Sequence, residues 1–446
     1  MGIAGRFATH SARGHPCWRH APRRGRWRWS LVTLPVLFLG VRPVLALDVH
    51  GGVSTHSQYT DNSRRTHTQE EHDWIHTPQI DLSVEQKNRA FEVNAGYRLE
   101  KRQYANNTFS DDTLFTGSSR LDAQVFGDTM RWFLQHNRNQ SAVDTRAQNV
   151  PTNQQVTNSI SSGPQFRWAL TARDRVDATL QYQSINASRT SNDSARIALD
   201  AQARHQLDEQ SSIGLHWNAT QVNFQSQFGN DYRSEDVRLT FERDRGERAK
   251  LSVEVGGSVV NRDRGRTDRN WVGSLGANYR LSKTWAVNLN LAREATDQAQ
   301  QAVQGARQFG DLNGQRSDIS EAFLLNSLNA SVTRTGQRLT GTLAVTASRQ
   351  SFSSTPRDES RRGTSLHATY QLGPRLTVDA FGSVEVLDFQ NFAGHDVQRD
   401  GQLRISWQIG RSFNANLGMG ISTRDSRRAN LNYSEHTGSV GVGYRF

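Results

Sequence analysis

The chain has 446 residues, of which 35% are hydrophobic and 22% charged, with a formal net charge of +11 and a mean hydropathy of −0.71. Eight of its 54 basic residues and none of its 43 acidic residues lie within residues 1–46, so 46 basic residues remain against 43 acidic ones. This near balance removes the main support for nucleic-acid binding, which needs a basic stripe. The single cysteine, Cys17, also lies in this segment, so the remainder forms no disulfides or thiolate metal sites.

The N-terminal segment predicts a secretory signal peptide over residues 1–46. Eight arginines and no acid are combined with a mostly apolar stretch, Ser30–Ala46. The apolar part is too short to span a bilayer, which needs about 20 apolar residues, and Val44-Leu45-Ala46 suits cleavage after Ala46. The mature protein is therefore predicted to comprise residues 47–446.

The mature region shows the period-two alternation of β-strands. Trp285, Val287, Leu289 and Leu291 alternate with small or polar residues, and the same pattern recurs along the chain. Nine short turn signals recur mostly every 36–44 residues and are separated by longer polar stretches. They lie at 86–89, 127–128, 171–175, 208–210, 243–247, 282–284, 335–337, 373–375 and 410–412.

This pattern predicts an all-β fold, a transmembrane antiparallel up-and-down β-barrel with short periplasmic turns and long extracellular loops. Nine turns imply about 20 strands of about 10–12 residues, with 18 or 22 left open. Because only alternate strand residues face lipid, a barrel explains the polar composition without disorder. Thr296–Ser317 is the longest connection, and 298–307 contains enough helix formers to fold back as a short element inside the lumen. A mobile surface loop is the preferred interpretation of this stretch.

The same alternation places charged side chains on the lumen face. The predicted lumen-facing charges are Arg98, Arg120, Asp122, Arg131, Arg167, Asp177, Asp200, Arg204, Arg238, Glu242, Glu254, Asp379, Glu385 and Arg404. Both signs occur in similar numbers, which predicts either a wet pore or an ionic mesh and no strong ion selectivity.

Aromatic residues and the last strand indicate a membrane setting. Trp132, Trp168, Trp285 and Trp407 lie within a few residues of short turns and are predicted to form an interfacial girdle. At the end of the chain, Val440, Val442, Tyr444 and Phe446 share one strand face. This ending resembles the last strand of outer-membrane barrels, whose terminal aromatic the barrel-assembly machinery reads. By itself, the last strand would also suit a soluble β-sandwich.

No motif predicts catalysis, a metal site or a cofactor. There is no Gly-x-Ser-x-Gly elbow, and Gly418 and Gly420 lie within a strand rather than before a helix. His72 and His76 flank the start of a strand, which does not place them on one helical face. The sequence therefore favours a non-enzymatic role.

The mature region resembles the PEP-CTERM system-associated outer-membrane protein family of Gram-negative bacteria. The resemblance lies in Thr157–Phe166, the turn Ala172–Arg175, the strand Val176–Tyr182, the Arg-, Asp- and Ser-rich hairpins and the aromatic end. It implies an outer-membrane barrel associated with exopolysaccharide loci, with no catalytic residues to carry over.

The predicted function is thus a passage or scaffold for exopolysaccharide export in the outer membrane. The predicted partners are outer-membrane lipid, lipopolysaccharide, the assembly machinery and polysaccharide-export components, without nucleic acid. A general diffusion porin and a surface adhesin or scaffold with a closed lumen remain as alternatives.

Overall fold

A computed structural model describes residues 47–144, 146–190, 193–226, 229–305, 321–353, 358–390 and 394–446. These residues form twenty antiparallel strands in one sheet, which confirms the predicted fold class and strand number. The strands are β1 (Asp48–Thr60), β2 (Asp73–Lys87), β3 (Phe91–Tyr104), β4 (Asp112–Phe126), β5 (Met130–Ala142), β6 (Gln154–Ala169), β7 (Asp174–Ala187), β8 (Ser194–Gln206), β9 (Ser211–Phe224), β10 (Tyr232–Asp244), β11 (Ala249–Arg262), β12 (Asp268–Arg280), β13 (Trp285–Asp297), β14 (Ala322–Thr335), β15 (Leu339–Ser351), β16 (Glu359–Gly373), β17 (Leu376–Phe389), β18 (His395–Ile409), β19 (Phe413–Asp425) and β20 (Tyr433–Arg445).

The sheet closes on itself where the first strand meets the last. β1 pairs with β2 on one side and with β20 on the other, from Gly52 opposite Arg445 to Thr60 opposite Thr437. Every described strand therefore has a neighbour on both sides, and the barrel has no open edge whose backbone groups would need water.

The two faces of the sheet differ sharply in polarity. Large apolar side chains such as Leu239, Val255, Leu366 and Leu417 point outward and are at least half exposed. Side chains at the alternate positions point into the lumen and are mostly polar. A continuous exposed apolar surface around a closed barrel is the arrangement required by a lipid environment rather than by water.

Short turns join the strands at one end of the barrel, in the places where the sequence predicts them. In three of them a glycine adopts the left-handed conformation: Gly127 with φ of 49°, Gly246 with φ of 66° and Gly410 with φ of 72°. A side chain at any of these positions would strain the backbone. We call this end periplasmic and the end with the longer loops extracellular, as is usual for such barrels.

The strands are longer than expected. They contain 13 to 16 residues, whereas the sequence pattern predicts about 10–12. The polar stretch 100–114 is one of those that separate the predicted turns, yet its first residues, such as Glu100 and Arg102, continue the pairing of β3 with β4. Strand ends beyond the lipid band keep their backbone hydrogen bonds, so polarity there does not mark the end of the strand.

Helical structure is minor in the described chain. An α-helix, α1 (Gln298–Gly305), follows β13, and two 3₁₀ turns occupy Pro151–Asn153 and Ala429–Leu431. Among the described residues, no helix is long and apolar enough to cross a membrane. The predicted signal peptide, residues 1–46, lies outside the described residues.

Candidate functional site

The lumen is the candidate site, and the register places the charges predicted for it. Strand pairing puts Arg98 opposite Asp81, Arg167 opposite Asp177 and Asp379 opposite Arg404, all on the face opposite the apolar exterior. The same register puts all fourteen predicted charges on the lumen face, distributed over strands β3 to β18.

Many of these charges form ion pairs along the wall from β2 to β8. Arg98 Nε lies 2.8 Å from Asp81 Oδ1, and Arg120 binds Asp122 through two hydrogen bonds of 2.6 and 2.7 Å. Asp177 accepts from both Arg167 and Arg175. Such pairs hold the side chains against the wall and leave little net charge facing the lumen.

A denser cluster joins β8 to β11. Arg238 lies 3.0 Å from Asp236 and 3.3 Å from Glu254. His216 Nε2 lies 2.6 Å from Asp200 Oδ2, and its Nδ1 lies 3.8 Å from Glu254. Beside the cluster, Arg204 pairs with Glu242 at 3.0 Å. This part of the lumen is an ionic mesh.

Two predicted lumen arginines differ from the others. Among the described residues, no carboxylate lies within ion-pair distance of Arg131 or Arg404, and both side chains are exposed to the lumen. Arg404 borders a cavity of about 280 Å³ lined by His367, Asp379, Phe381 and Gln402. Asp379 faces Arg404 across the strand pair but accepts instead from Thr369 Oγ1 at 2.7 Å.

The extracellular end of the lumen is crossed by α1. Asp297, at the end of β13, accepts from the backbone N–H of Gln300 at 3.0 Å and so caps the helix. Its second carboxylate oxygen accepts from Arg196 of β8 and from the Tyr232 hydroxyl of β10, the latter at 2.6 Å. A single buried carboxylate thus joins a strand end, a helix start and the facing wall.

The apolar side of α1 completes this contact. Ala299 and Val303 are buried against Ile185, a lumen-facing residue of β7, which is six strands away from β13 around the barrel. The helix also contacts β5 and β6. Over its described residues, the connection between β13 and β14 therefore folds into the lumen through α1. This is the arrangement that the helix formers in 298–307 allow, and it differs here from the preferred surface loop.

A second segment crosses the mouth from another direction. In the β5–β6 loop, which the structure describes over 143–144 and 146–153, the carbonyl oxygens of Arg146 and Ala147 accept from Arg424 of β19 at 2.9 and 3.2 Å. The Asn149 carbonyl accepts from Arg65 at 3.0 Å. β19 lies six strands from β5, so this loop is fixed to the far wall by two arginines.

Helix α1 and the β5–β6 loop form two covers over the extracellular mouth. The sequence did not predict the four residues that hold these covers in place: Arg65, Arg196, Tyr232 and Arg424. Alternation places Arg196, Tyr232 and Arg424 on the lumen face of their strands. It does not indicate which side chains near the extracellular end meet across the lumen, because their partners are 65 to 278 residues away in the chain. Their distance from a short turn is the one signal that would have singled them out.

The predicted interfacial residues lie on the outer face. Trp132, Trp168, Trp285 and Trp407 point outward beside the periplasmic turns and are 40–53% exposed. At the last strand, Val440, Val442, Tyr444 and Phe446 also point outward. Phe446 exchanges two backbone hydrogen bonds of 3.0 Å with Gly51 of β1, next to the seam where the barrel closes.

The described residues contain no group of three or more His, Cys, Asp or Glu side chains that could hold a metal ion. His76 points outward, and its Nδ1 lies 2.9 Å from Ser57 Oγ.

Comparison with known proteins adds only distant structural likeness. No protein-family model and no curated protein matches the chain. The FrpB iron transporter of Neisseria meningitidis (F3-3 variant) matches 90% of this chain and 82% of its own, at 12% identity and a TM-score of 0.48. The siderophore receptor PirA of Pseudomonas aeruginosa matches 89% of this chain and 80% of its own, at 12% identity and a TM-score of 0.46.

At these identities and TM-scores, the matches carry no information on substrate. Barrel closure, the apolar outer wall and the tryptophans beside the periplasmic turns define the class instead. The chain is an integral β-barrel of the Gram-negative outer membrane.

Proposed function

We propose that this barrel is a non-enzymatic passage for a large polar solute, gated at its extracellular mouth, with exopolysaccharide as its cargo. The observation that carries the proposal is the docking of α1 across the mouth of a polar lumen, with Ala299 and Val303 buried on the far wall. The second candidate is a scaffold or surface-binding protein with a closed lumen. The contacts of α1 with the far wall would favour it if the helix never leaves the mouth.

The width of the barrel supports a passage. Barrels of about 16–18 strands already leave an aqueous channel, and this one has twenty strands. The lumen-facing side chains are mostly polar or charged, so they favour water over a packed apolar core.

The charge distribution supports a large solute over a small ion. Ion pairs such as Arg98 with Asp81 and Arg204 with Glu242 cancel most of the lumen charge locally. A selectivity filter instead needs a ring of one sign at a constriction. A wall of neutralised pairs and hydroxyl groups suits a hydrated, hydroxyl-rich chain. The resemblance to the PEP-CTERM-associated family supports exopolysaccharide in particular.

The docked helix provides the test. Val303→Asp would place a carboxylate in the buried contact with Ile185, where it has no partner and undocks the helix. We expect single-channel conductance in planar bilayers to rise roughly twofold or more over that of the native protein, because the mouth then carries more ions.

Asn290→Asp is the matched control, because it adds the same charge to an exposed lumen position of β13 without touching α1. Its conductance should stay close to that of the native protein. Equal conductance of native protein and Val303→Asp, with both folded, would argue against gating by α1. Absence of conductance in both would favour the closed scaffold. A large conductance in the native protein would favour a general diffusion porin.

A further inference from the structure

The cavity beside Arg404 has the composition of a saccharide subsite. It occupies about 280 Å³ of the lumen wall over β16, β17 and β18 and is lined by a cation, an aromatic ring, an amide, a carboxylate and an imidazole. A concave site with an apolar surface and a few converging polar groups is the usual form of a small-molecule site.

Arg404 is available to a ligand. The predicted lumen arginines other than Arg131 and Arg404 have a carboxylate partner in the described chain, such as Asp81 for Arg98 and Glu254 for Arg238. The carboxylate facing Arg404 is that of Asp379, which accepts instead from Thr369. A guanidinium free of protein partners binds a carboxylate through two parallel hydrogen bonds.

Phe381 adds an apolar surface next to this cation. Its ring is only half-buried and lines the cavity. Phe133, another lumen-facing ring in the periplasmic half, is not accessible in this way. Phe133 is 3% exposed and covered by the Arg120 guanidinium 5.1 Å from its centre. Only Phe381 of these two offers a face to a sugar ring, with Gln402 beside it to hydrogen-bond hydroxyl groups.

The position in the lumen fits cargo arriving from the periplasm. Phe381 is five residues from the start of β17 and Arg404 five residues from the end of β18, about 13 Å above the periplasmic turns on a tilted strand. The cavity therefore lies on the periplasmic side of α1 and is reached before the extracellular mouth.

We infer that this cavity is a binding subsite for an acidic sugar unit, a uronate residue of a polysaccharide. Arg404 binds the carboxylate, Phe381 supports the apolar face of the ring, and Gln402 and Asp379 bind its hydroxyl groups. This deepens the proposed function and rests on it for the identity of the cargo. The site is shallow and open to water, so it binds weakly enough to release each unit, as transport requires.

Binding is tested in detergent solution, where no open mouth is needed. Isothermal titration of the refolded barrel would compare trigalacturonate with maltotriose, a neutral trisaccharide, and with acetate, a carboxylate without a sugar. We expect trigalacturonate to bind roughly tenfold or more tightly than either. Arg404→Gln should weaken its binding roughly tenfold, and Phe381→Leu should weaken it as well.

Arg131→Gln is the matched control, because it removes the other predicted lumen arginine that has no carboxylate partner among the described residues, and Arg131 does not line the cavity. It should change affinity by less than about twofold. The subsite would be overturned if maltotriose or acetate bound as tightly as trigalacturonate. It would also be overturned if Arg131→Gln weakened trigalacturonate binding as much as Arg404→Gln does. A barrel that binds trigalacturonate through Arg404 yet never conducts would keep the subsite and refute the passage. Conductance without such binding would keep the passage and refute the subsite.

Discussion

At the level of single residues, the face on which a side chain lies decides whether a charge is tolerated. Leu289 and Asn290 are neighbours in the middle of β13, and strand pairing places Leu289 opposite Ala277 on the lipid side and Asn290 opposite Gly276 on the lumen side. These two adjacent residues therefore lie in opposite environments, Leu289 in lipid and Asn290 in the aqueous lumen.

Leu289→Arg should therefore destabilise the barrel by roughly 2–4 kcal/mol, the cost of a cation near the middle of the lipid band. Asn290→Arg should be tolerated, since its guanidinium reaches lumen water. The measurement is the free energy of unfolding in lipid vesicles, from urea titration of each variant. Equal destabilisation by the two variants, or the reverse order, would mean that the register of β13 is wrong.

Asp297 illustrates how one residue can combine roles. It ends β13, caps α1 and accepts from Arg196 and Tyr232 while being fully buried. A buried carboxylate left without partners is strongly unfavourable, whereas one with three donors fixes its neighbours in a single arrangement. The position of α1 is set by this residue as much as by the apolar contact.

At the level of elements, β20 is the strand that closes the barrel. It pairs with β19 on one side and β1 on the other. Phe446 follows it, with its backbone bonded to Gly51 and its ring 6.1 Å from that of Tyr444. The ring is 69% exposed on the outer face, so it adds little packing and remains accessible to an assembly factor.

The resemblance of β20 to the last strand of outer-membrane barrels implies that the assembly machinery reads this aromatic, so we expect deletion of Phe446 to lower the amount of assembled barrel. Phe446→Ala separates the two contributions, since it keeps the backbone bonds to Gly51 and removes the ring. The assay is the fraction of heat-modifiable protein in outer-membrane preparations. Phe446→Tyr should assemble normally. Normal levels for both the deletion and Phe446→Ala would contradict a role for the ring in assembly.

At the level of the whole molecule, the extracellular mouth is covered from two sides. Helix α1 extends from β13 toward β5, β6 and β7. The β5–β6 loop extends toward β19 and toward Arg65, which lies in the loop between β1 and β2. The two covers are fixed by different chemistry: α1 by apolar burial together with the buried Asp297 carboxylate, and the β5–β6 loop by arginine hydrogen bonds to carbonyl oxygens.

Because the two covers lie over different parts of the mouth, the conductance increases caused by releasing each of them should add. Arg424→Gln should free the β5–β6 loop, and its combination with Val303→Asp should raise conductance by about the sum of the two single increases. Arg399→Gln is the control, because Arg399 points outward on β18 and pairs with Asp425 instead of the loop. A double variant no more conductive than Val303→Asp alone would indicate that α1 is the only barrier.

Much of the architecture follows from local sequence. The turn residues at positions such as 208–210 and 282–284 mark the periplasmic end, and period-two alternation gives each strand its lipid and lumen faces. Both signals act over a few residues, because side chains alternate strictly along an extended backbone and turns need particular residues. Strand ends were less well predicted, since polar residues such as Glu100 pair beyond the lipid band.

The sequence by itself therefore determined the class of fold, a strand number between 18 and 22 and the face on which each predicted lumen charge lies. Only the tertiary structure decided which charges meet, as Arg196 with Asp297 and Arg424 with the β5–β6 loop. It also decided which predicted lumen arginines, Arg131 and Arg404, have no carboxylate partner among the described residues. Alternation fixes the direction of a side chain relative to its own strand. It carries no information on what lies across a lumen of twenty strands, because those partners are set by the curvature of the whole sheet.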